Sequence, residues 1–215
     1  MIDRIEVPIH SSVRIGGEKV IYVDPYLIEG EPHDADIVLV THSHYDHFSP
    51  EDIAKIRKAD TKFAFPKGME KESGSEGFAE ASTFMTPGDV CEIGGVAVEA
   101  VPAYNRLKPF HPKSNGWVGY IVSAGGKRIY IAGDTDLNDD NRLVRCDIAL
   151  IPIGGKFTMD AKDAAKLVDI IRPEAVIPTH YGSVVNKLDA FDEFCRRMEK
   201  QNCDVKIIRK VHRTE

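Results

Sequence analysis

Apolar residues along the chain fall mostly into short, β-branched runs bounded by Gly, Pro, Asn or Asp, which is strand grammar rather than that of long helices. Alternation predicts strands over 5–9, 12–15 and 19–24, with Gly16-Gly17 as a turn and a polar loop over 29–35. The unbroken run Ile37-Val38-Leu39-Val40 predicts a buried strand. Short strands follow at 61–65, 82–85, 90–93 and 96–101, the last three reading as one antiparallel meander with turns at Pro87-Gly88 and Gly94-Gly95. Segments 117–123 and 128–132 form a hairpin across Gly125-Gly126, and 147–152, 175–179 and 204–210 complete the strands. Helical spacing is clear at three places. Ser49-Pro50-Glu51-Asp52 opens a helix to about 58, and Asp160 caps one over 160–171 that presents Ala161, Ala164, Ala165, Val168 and Ile171 and stops before Pro173. A last helix over 188–200 carries Leu188, Phe191, Phe194, Cys195 and Met198 on one stripe. Segment 102–116 follows no period, and its aromatic content marks it as a functional loop rather than a disordered one.

A chain of 215 residues suits a single α/β domain over 1–215 that buries roughly 70% of its unfolded surface and needs no metal to hold it together. The net charge of -6, with basic residues spread along the chain, argues against a nucleic-acid partner. Cys91, Cys146, Cys195 and Cys203 show no CxxC spacing and read as small hydrophobes in a reducing compartment. With no apolar stretch of ~18 residues and no basic-then-apolar leader, the expectation is a cytoplasmic protein without membrane contact, acting on a small molecule, its homo-oligomerisation left open.

Chemistry concentrates where strands end. Thr41-His42-Ser43-His44-Tyr45-Asp46-His47 follows the buried run 37–40. Extended alternation would set His42, His44 and Asp46 on one side, with a turn at Asp46-His47 bringing His47 round. Imidazole and carboxylate together suit zinc, manganese or iron and leave room for a water that the metal acidifies. Asp134 closes the strand at 128–132, and a buried carboxylate there costs several kcal/mol unless paired or bound to a metal. His180 ends the strand at 175–179 in the same way. Gly154-Gly155-Lys156 is not a phosphate loop, because Phe157 stands where Ser or Thr is needed. His10 and His33 read as packed or solvated, His10 reaching a site rim only if its strand ends there.

In order and interval, Thr41-His42-x-His44-x-Asp46-His47, Gly133-Asp134-Thr135 and Pro178-Thr179-His180-Tyr181-Gly182 resemble the metallo-β-lactamase superfamily, and more narrowly its compact branch that includes ascorbate-6-phosphate lactonase-like hydrolases. The resemblance implies an αββα four-layer sandwich of two mixed sheets with helices outside, and one or two divalent ions, Zn2+ first with Mn2+ or Fe2+ as alternatives. It makes His42 and His44 ligands of a first ion, Asp46, His47 and His180 ligands of a second, and Asp134 the bridge. Members place a further first-ion histidine where this chain runs through Val101-Pro102-Ala103-Tyr104 into Asn105. Either that set is depleted or His111, stiffened by Pro109 and Pro112, folds back to fill it; the reading favours His111. Asp46 and Tyr181 are the catalytic candidates, as proton acceptor and oxyanion donor. Asn105, Lys108 and Lys113 are the substrate-binding candidates, the lysines for a phosphate or carboxylate, against the plainer reading of a solvated basic face. The implied activity is metal-dependent hydrolysis of a small, anionic ester, lactone or phosphodiester; the rival is a metal-binding protein with a depleted first set and a sensing role.

Overall fold

Two seven-stranded sheets carry the chain; strand numbers follow the sequence. The first runs in the order β14 (Val211–Arg213), β1 (Ile5–Ile9), β2 (Val13–Ile15), β3 (Ile21–Val23), β4 (Ala35–Leu39), β5 (Arg57–Pro66) and β6 (Ser82–Met85). The second runs β13 (Lys206–Ile207), β12 (Ala175–Thr179), β11 (Ile148–Pro152), β10 (Lys127–Ile131), β9 (Val118–Ala124), β8 (Val96–Pro102) and β7 (Val90–Ile93). Both are mixed: β3 through β6 pair in parallel, as do β10 through β13, while the remaining neighbours are antiparallel except the parallel β14 and β1. This computed structural model describes residues 1–184 and 189–213.

The sheets face each other across one apolar core, with Val7, Val13, Ile15, Ile37 and Leu39 from the first packed in the same cluster as Val98, Tyr120, Val122, Ile129 and Ile131 from the second. Helices cover the outer faces. On the first sheet, α1 (Pro50–Ile56) sets Ile53 and Ile56 into a second cluster with Val38, Val40, Phe63 and Phe65. The Ser49 hydroxyl caps it by accepting from the Asp52 amide at 3.3 Å. Beyond it lies the short α2 (Glu70–Ser75). On the second sheet, α3 (Ala161–Ile171) buries Ala161, Ala164, Ala165, Val168 and Ile171, the stripe expected from its spacing, and ends at Arg172 in a left-handed conformation before Pro173. Alongside it lies α4 (Ala190–Lys200), which buries Phe194 and Met198; Leu188, assigned to this helix from the sequence, lies outside the described residues. This is the αββα sandwich expected.

Several boundaries differ. The meander breaks at Pro87-Gly88: β6 pairs in parallel with β5, Phe63 opposite Ser82, and the chain then crosses to the other sheet through a turn in which Asp89 accepts from the Thr86 amide and hydroxyl. Turn residues mark a reversal but do not say which sheet takes the next strand. The helix at 50–58 stops at Ile56, where the chain extends into a ten-residue β5. The charged tail pairs too, Val211 lying beside Val7 at the edge of the first sheet.

Candidate metal centre

Four strand ends meet at one edge of the sandwich: β1 and β4 of the first sheet, β10 and β12 of the second. After β4 the chain does not stay extended. The amides of His47 and Phe48 both donate to the His44 carbonyl at 2.9 and 2.8 Å, so the turn begins at His44, two residues earlier than alternation suggests. This sends His44 towards His42, with His44 Nδ1 3.1 Å from His42 Nε2, and Asp46 towards His10, with Oδ2 3.0 Å from His10 Nε2. Gly133, left-handed at φ +63, brings Asp134 in after β10; a Cβ there would stand 3.1 Å from Thr41 Cβ, so this approach needs glycine.

Three overlapping groups of donor atoms lie within 4.8 Å of one another: His42, His44 and His111; Asp46, His47 and His180 with His10; and His42, His47 and Asp134. Asp134 joins them, its carboxylate 3.2 Å from His47 Nε2, 3.3 Å from His111 Nε2 and 3.0 Å from His180 Nε2. Every one of these residues except the half-buried His44 is buried. Yet Nε2 of His47, His111 and His180 and Oδ1 of Asp134 have no hydrogen-bond partner. Buried donors and acceptors without partners are expensive, and several converging on one space match what a divalent cation takes: lone pairs from imidazoles and carboxylates.

The electrostatics agree. Burial, then the His47 charge, drives His42 well below an ordinary imidazole, and burial followed by His111 lowers His44, so both present neutral lone pairs at neutral pH. Burial also disfavours charging His47, but Asp134 and Asp24 overcome it and hold its pKa well above the ordinary value. Burial likewise opposes ionising Asp134 and Asp46; the neighbouring His180 and His47 side chains keep Asp134 well below the carboxylate range, and the His10 hydrogen bond and His47 bring Asp46 down to about 2. Three carboxylates, Asp24, Asp46 and Asp134, thus lie buried beside the raised His47. Without a cation their burial is only partly compensated.

His111 lies beside the first pair. Its ring is 5.0 Å from that of His42 and 4.8 Å from that of His44. The loop returns because the Asn105 amide donates to the His111 carbonyl at 2.8 Å, and the Asn105 side chain donates to the Phe157 carbonyl at 2.6 Å. Asn105 therefore braces the loop behind His111. The lysines are committed elsewhere: Lys108 binds Asp136 and the Thr158 carbonyl, both at 2.5 Å, and Lys113 binds Asp140 at 2.9 Å over the Tyr104 ring. They clip the 102–116 loop to the segment after Asp134 rather than lining the donor cluster. Tyr181 is not brought to the cluster either. It is buried in the core and stacked on Phe191 of α4 at 6.0 Å.

Three residues around the cluster, Asp24, Trp117 and Ser183, escaped the sequence reading as parts of it, and a fourth, His10, meets the condition set for it, since its strand ends at Ile9. Asp24, left-handed at the end of β3, accepts from the Thr41 amide, the Thr41 hydroxyl and His47 Nδ1, each at 2.7 Å. Trp117 lies 4.9, 5.0 and 5.4 Å from the rings of His42, His44 and His111. His10 is fully buried against Asp46 and His180, and Ser183 meets it from behind. For His10 a signal existed: like His180, it follows an apolar strand directly. In front of the cluster a cavity of about 350 Å³ is lined by His44, Asp46, His111 and Asp134 on one side and Tyr45, Phe110, Lys156, Phe157 and Val184 on the other.

Residues 4–180 match a family model described as a beta-lactamase superfamily domain. A UPF0173 metal-dependent hydrolase of Pyrococcus abyssi is 36% identical over 192 residues, covering 81% of this chain and 82% of that protein. Its counterpart in Methanopyrus kandleri is 34% identical over 214 residues, covering 91% and 90%. Among solved structures, a proposed metal-dependent hydrolase from Parabacteroides distasonis superposes with a TM-score of 0.81 at 27% identity, covering 97% of this chain and 93% of the other.

Proposed function

The chain belongs to the metallo-β-lactamase superfamily, and from that footing we propose that it is a metal-dependent hydrolase acting on a small ester, lactone or phosphodiester that carries an anionic group. The observation that carries this reading is the convergence of unpartnered, buried imidazole and carboxylate atoms from distant strand ends on one space beside an open cavity. His42, His44 and His111 would hold one divalent ion, Asp46, His47 and His180 a second, and Asp134, which approaches members of both sets, would be shared. Zinc suits the donors best, with manganese or iron(II) next. Such ions supply a water acidified towards pKa ~7 and a Lewis acid for the scissile group.

The protein's own share is binding, orientation and proton handling. Phe110 and Phe157, edge to face at 4.8 Å, form an apolar wall for the body of the substrate. Lys156, 4.9 Å from the Phe157 ring centre, is the cation that borders this cavity and belongs to none of the ion pairs among the described residues. It would read the anionic group. Asp46, through the carboxylate oxygen that His10 does not engage, would take the proton of the attacking water only in passing, since a carboxylate held near 2 hands a proton on to the leaving group. Trp117 keeps water from the rear of the first three imidazoles. The rival reading, a metal-binding protein with a depleted first set, rested on Asn105; the place of His111 beside His42 and His44 removes that support.

The test is metal content together with turnover. Zinc-loaded protein is expected to hydrolyse bis(p-nitrophenyl) phosphate or members of a lactone panel in a chelator-sensitive way, and His42→Ala and Asp134→Ala to lose metal. Full metal content in both variants, or no turnover on any class with two ions bound, refutes the proposal.

A further inference from the structure

His10 differs from three of the other buried histidines of the cluster, and from His42 in that one of its ring nitrogens faces a carboxylate. Where His47, His111 and His180 each leave Nε2 without a hydrogen-bond partner, both ring nitrogens of His10 are engaged: Nε2 with Asp46 Oδ2 at 3.0 Å and Nδ1 with Ser183 Oγ at 3.0 Å. A nitrogen lone pair does not face a carboxylate lone pair at that distance, so Nε2 carries the proton and donates to Asp46. Nδ1 then holds the lone pair and accepts from the Ser183 hydroxyl. A ring in this tautomer, with its only lone pair turned towards Ser183, is a hydrogen-bond donor to a ligand and not itself a ligand.

The oxygen it meets is the one that matters. Asp46 Oδ2 also lies 3.6 Å from His47 Nε2 and 4.0 Å from His180 Nε2. A carboxylate oxygen has two lone pairs, so one occupied by His10 leaves the other for an ion among those three side chains. The backbone fixes the donor in place. His10 is left-handed, φ +52, directly after β1, and its carbonyl accepts from the His180 amide at 3.0 Å. Its ring centre is 4.0 Å from that of His180. An imidazole held in an unfavourable backbone region, fully buried and tied on four sides is over-determined, as strained residues at functional sites are.

We propose that His10 is a positioning residue for the second ion: through Nε2–H it sets the orientation of Asp46, and through ring and backbone that of His180, with Ser183 fixing the tautomer. The inference rests on the two-ion reading above.

The experiment compares two amides that differ by one methylene and so place their polar ends differently. Gln at position 10 carries an N–H to where Nε2 stood, whereas Asn reaches only the Nδ1 position. Zinc-loaded wild type, His10→Gln and His10→Asn are titrated against a colorimetric chelator that withdraws the two ions in turn, and cobalt-substituted samples are read by visible absorption. His10→Asn is expected to weaken the second ion by about 10–100-fold, the usual effect of losing a hydrogen-bonded partner behind a ligand, with the first ion unchanged. His10→Gln is expected to hold it within a few-fold of wild type with the same cobalt spectrum. Equal losses in both variants would make His10 a ligand or a packing residue and overturn the proposal; retention in both, or in Asn alone, overturns it as well. Wild-type protein that takes up a single ion overturns this inference together with the two-ion reading, which separates that failure from the others.

Discussion

Replacing Asp24 by Asn tests the whole electrostatic argument at a residue that touches no candidate ion. Its carboxylate receives three donors at 2.7 Å, the Thr41 amide, the Thr41 hydroxyl and His47 Nδ1. An ion on His47 Nε2 requires the proton on Nδ1, and Asp24 is what holds it there. An amide has one acceptor end. If it serves Thr41, its NH2 faces His47 Nδ1, and the imidazole either loses the bond or moves its proton to Nε2, where it blocks the ion. One charge-assisted hydrogen bond is lost, about 1.5–3 kcal/mol, and a buried nitrogen is left mismatched, about 1–3 kcal/mol more. Burial already pushes the Asp24 carboxyl up against the pull of His47 and Thr41, so removing its charge returns part of that desolvation. The net expectation is about 3 kcal/mol lost from the ion-free fold, against a total of about 5–15 kcal/mol for a domain. Second-ion affinity should fall about 10–100-fold. Urea unfolding of chelator-treated protein reads the first quantity and chelator competition the second. A variant whose unfolding midpoint and both ion affinities match wild type would refute the claim that Asp24 fixes the His47 tautomer.

Ion-free protein should lose stability as pH falls from 6.5 to 4. Burial, reinforced by His180, lowers His10 to about 4, so in that window the unfolded chain binds a proton that the folded chain refuses, a contribution of about 3 kcal/mol in urea midpoints; His42 acts with the same sign, and a flat profile refutes the assignment. His47 acts oppositely, its contribution being present below 6.5 and fading as pH rises through its raised value. Because His47 is charged at neutral pH without an ion, loading should release about one proton from it, seen in calorimetry as a heat that depends on the buffer's ionisation enthalpy; no such dependence counts against His47 as a ligand. The single tryptophan, Trp117, stands about 5 Å from three imidazoles of the first set, so cobalt or copper should quench its emission as the first ion binds and His44→Ala should abolish that response. Lys156→Ala should raise KM for bis(p-nitrophenyl) phosphate about three- to tenfold with kcat within twofold, whereas a fall in kcat alone would place Lys156 in the chemistry rather than in binding.

What the chain disclosed in advance follows from how far each signal reaches. Strand-end histidines and Asp134 were legible because an apolar run of fixed length ends where its loop begins, a local fact. Which sheet takes a strand is not local, and so β6 reads into the wrong meander, and β14 lies beyond the last strand, 204–210, that the pattern predicts. The fate of the loop lysines was hidden for the same reason: nothing near Lys108 announces that Asp136 and the Thr158 carbonyl will receive it. Tyr181 was credited with a role on adjacency alone, although neighbours along a chain point apart. The deepest omission was conformational. His10, His111 and His180 all take φ between +52 and +58, a region costly to side chains with a Cβ. Each follows an apolar run or a clamped loop that would otherwise carry its side chain past the site, and the left-handed step turns the ring inward. That strain is borne by the sandwich. The packed sheets, with His180 bonded through its amide to His10 across the seam between them, hold three imidazoles where free chains would not.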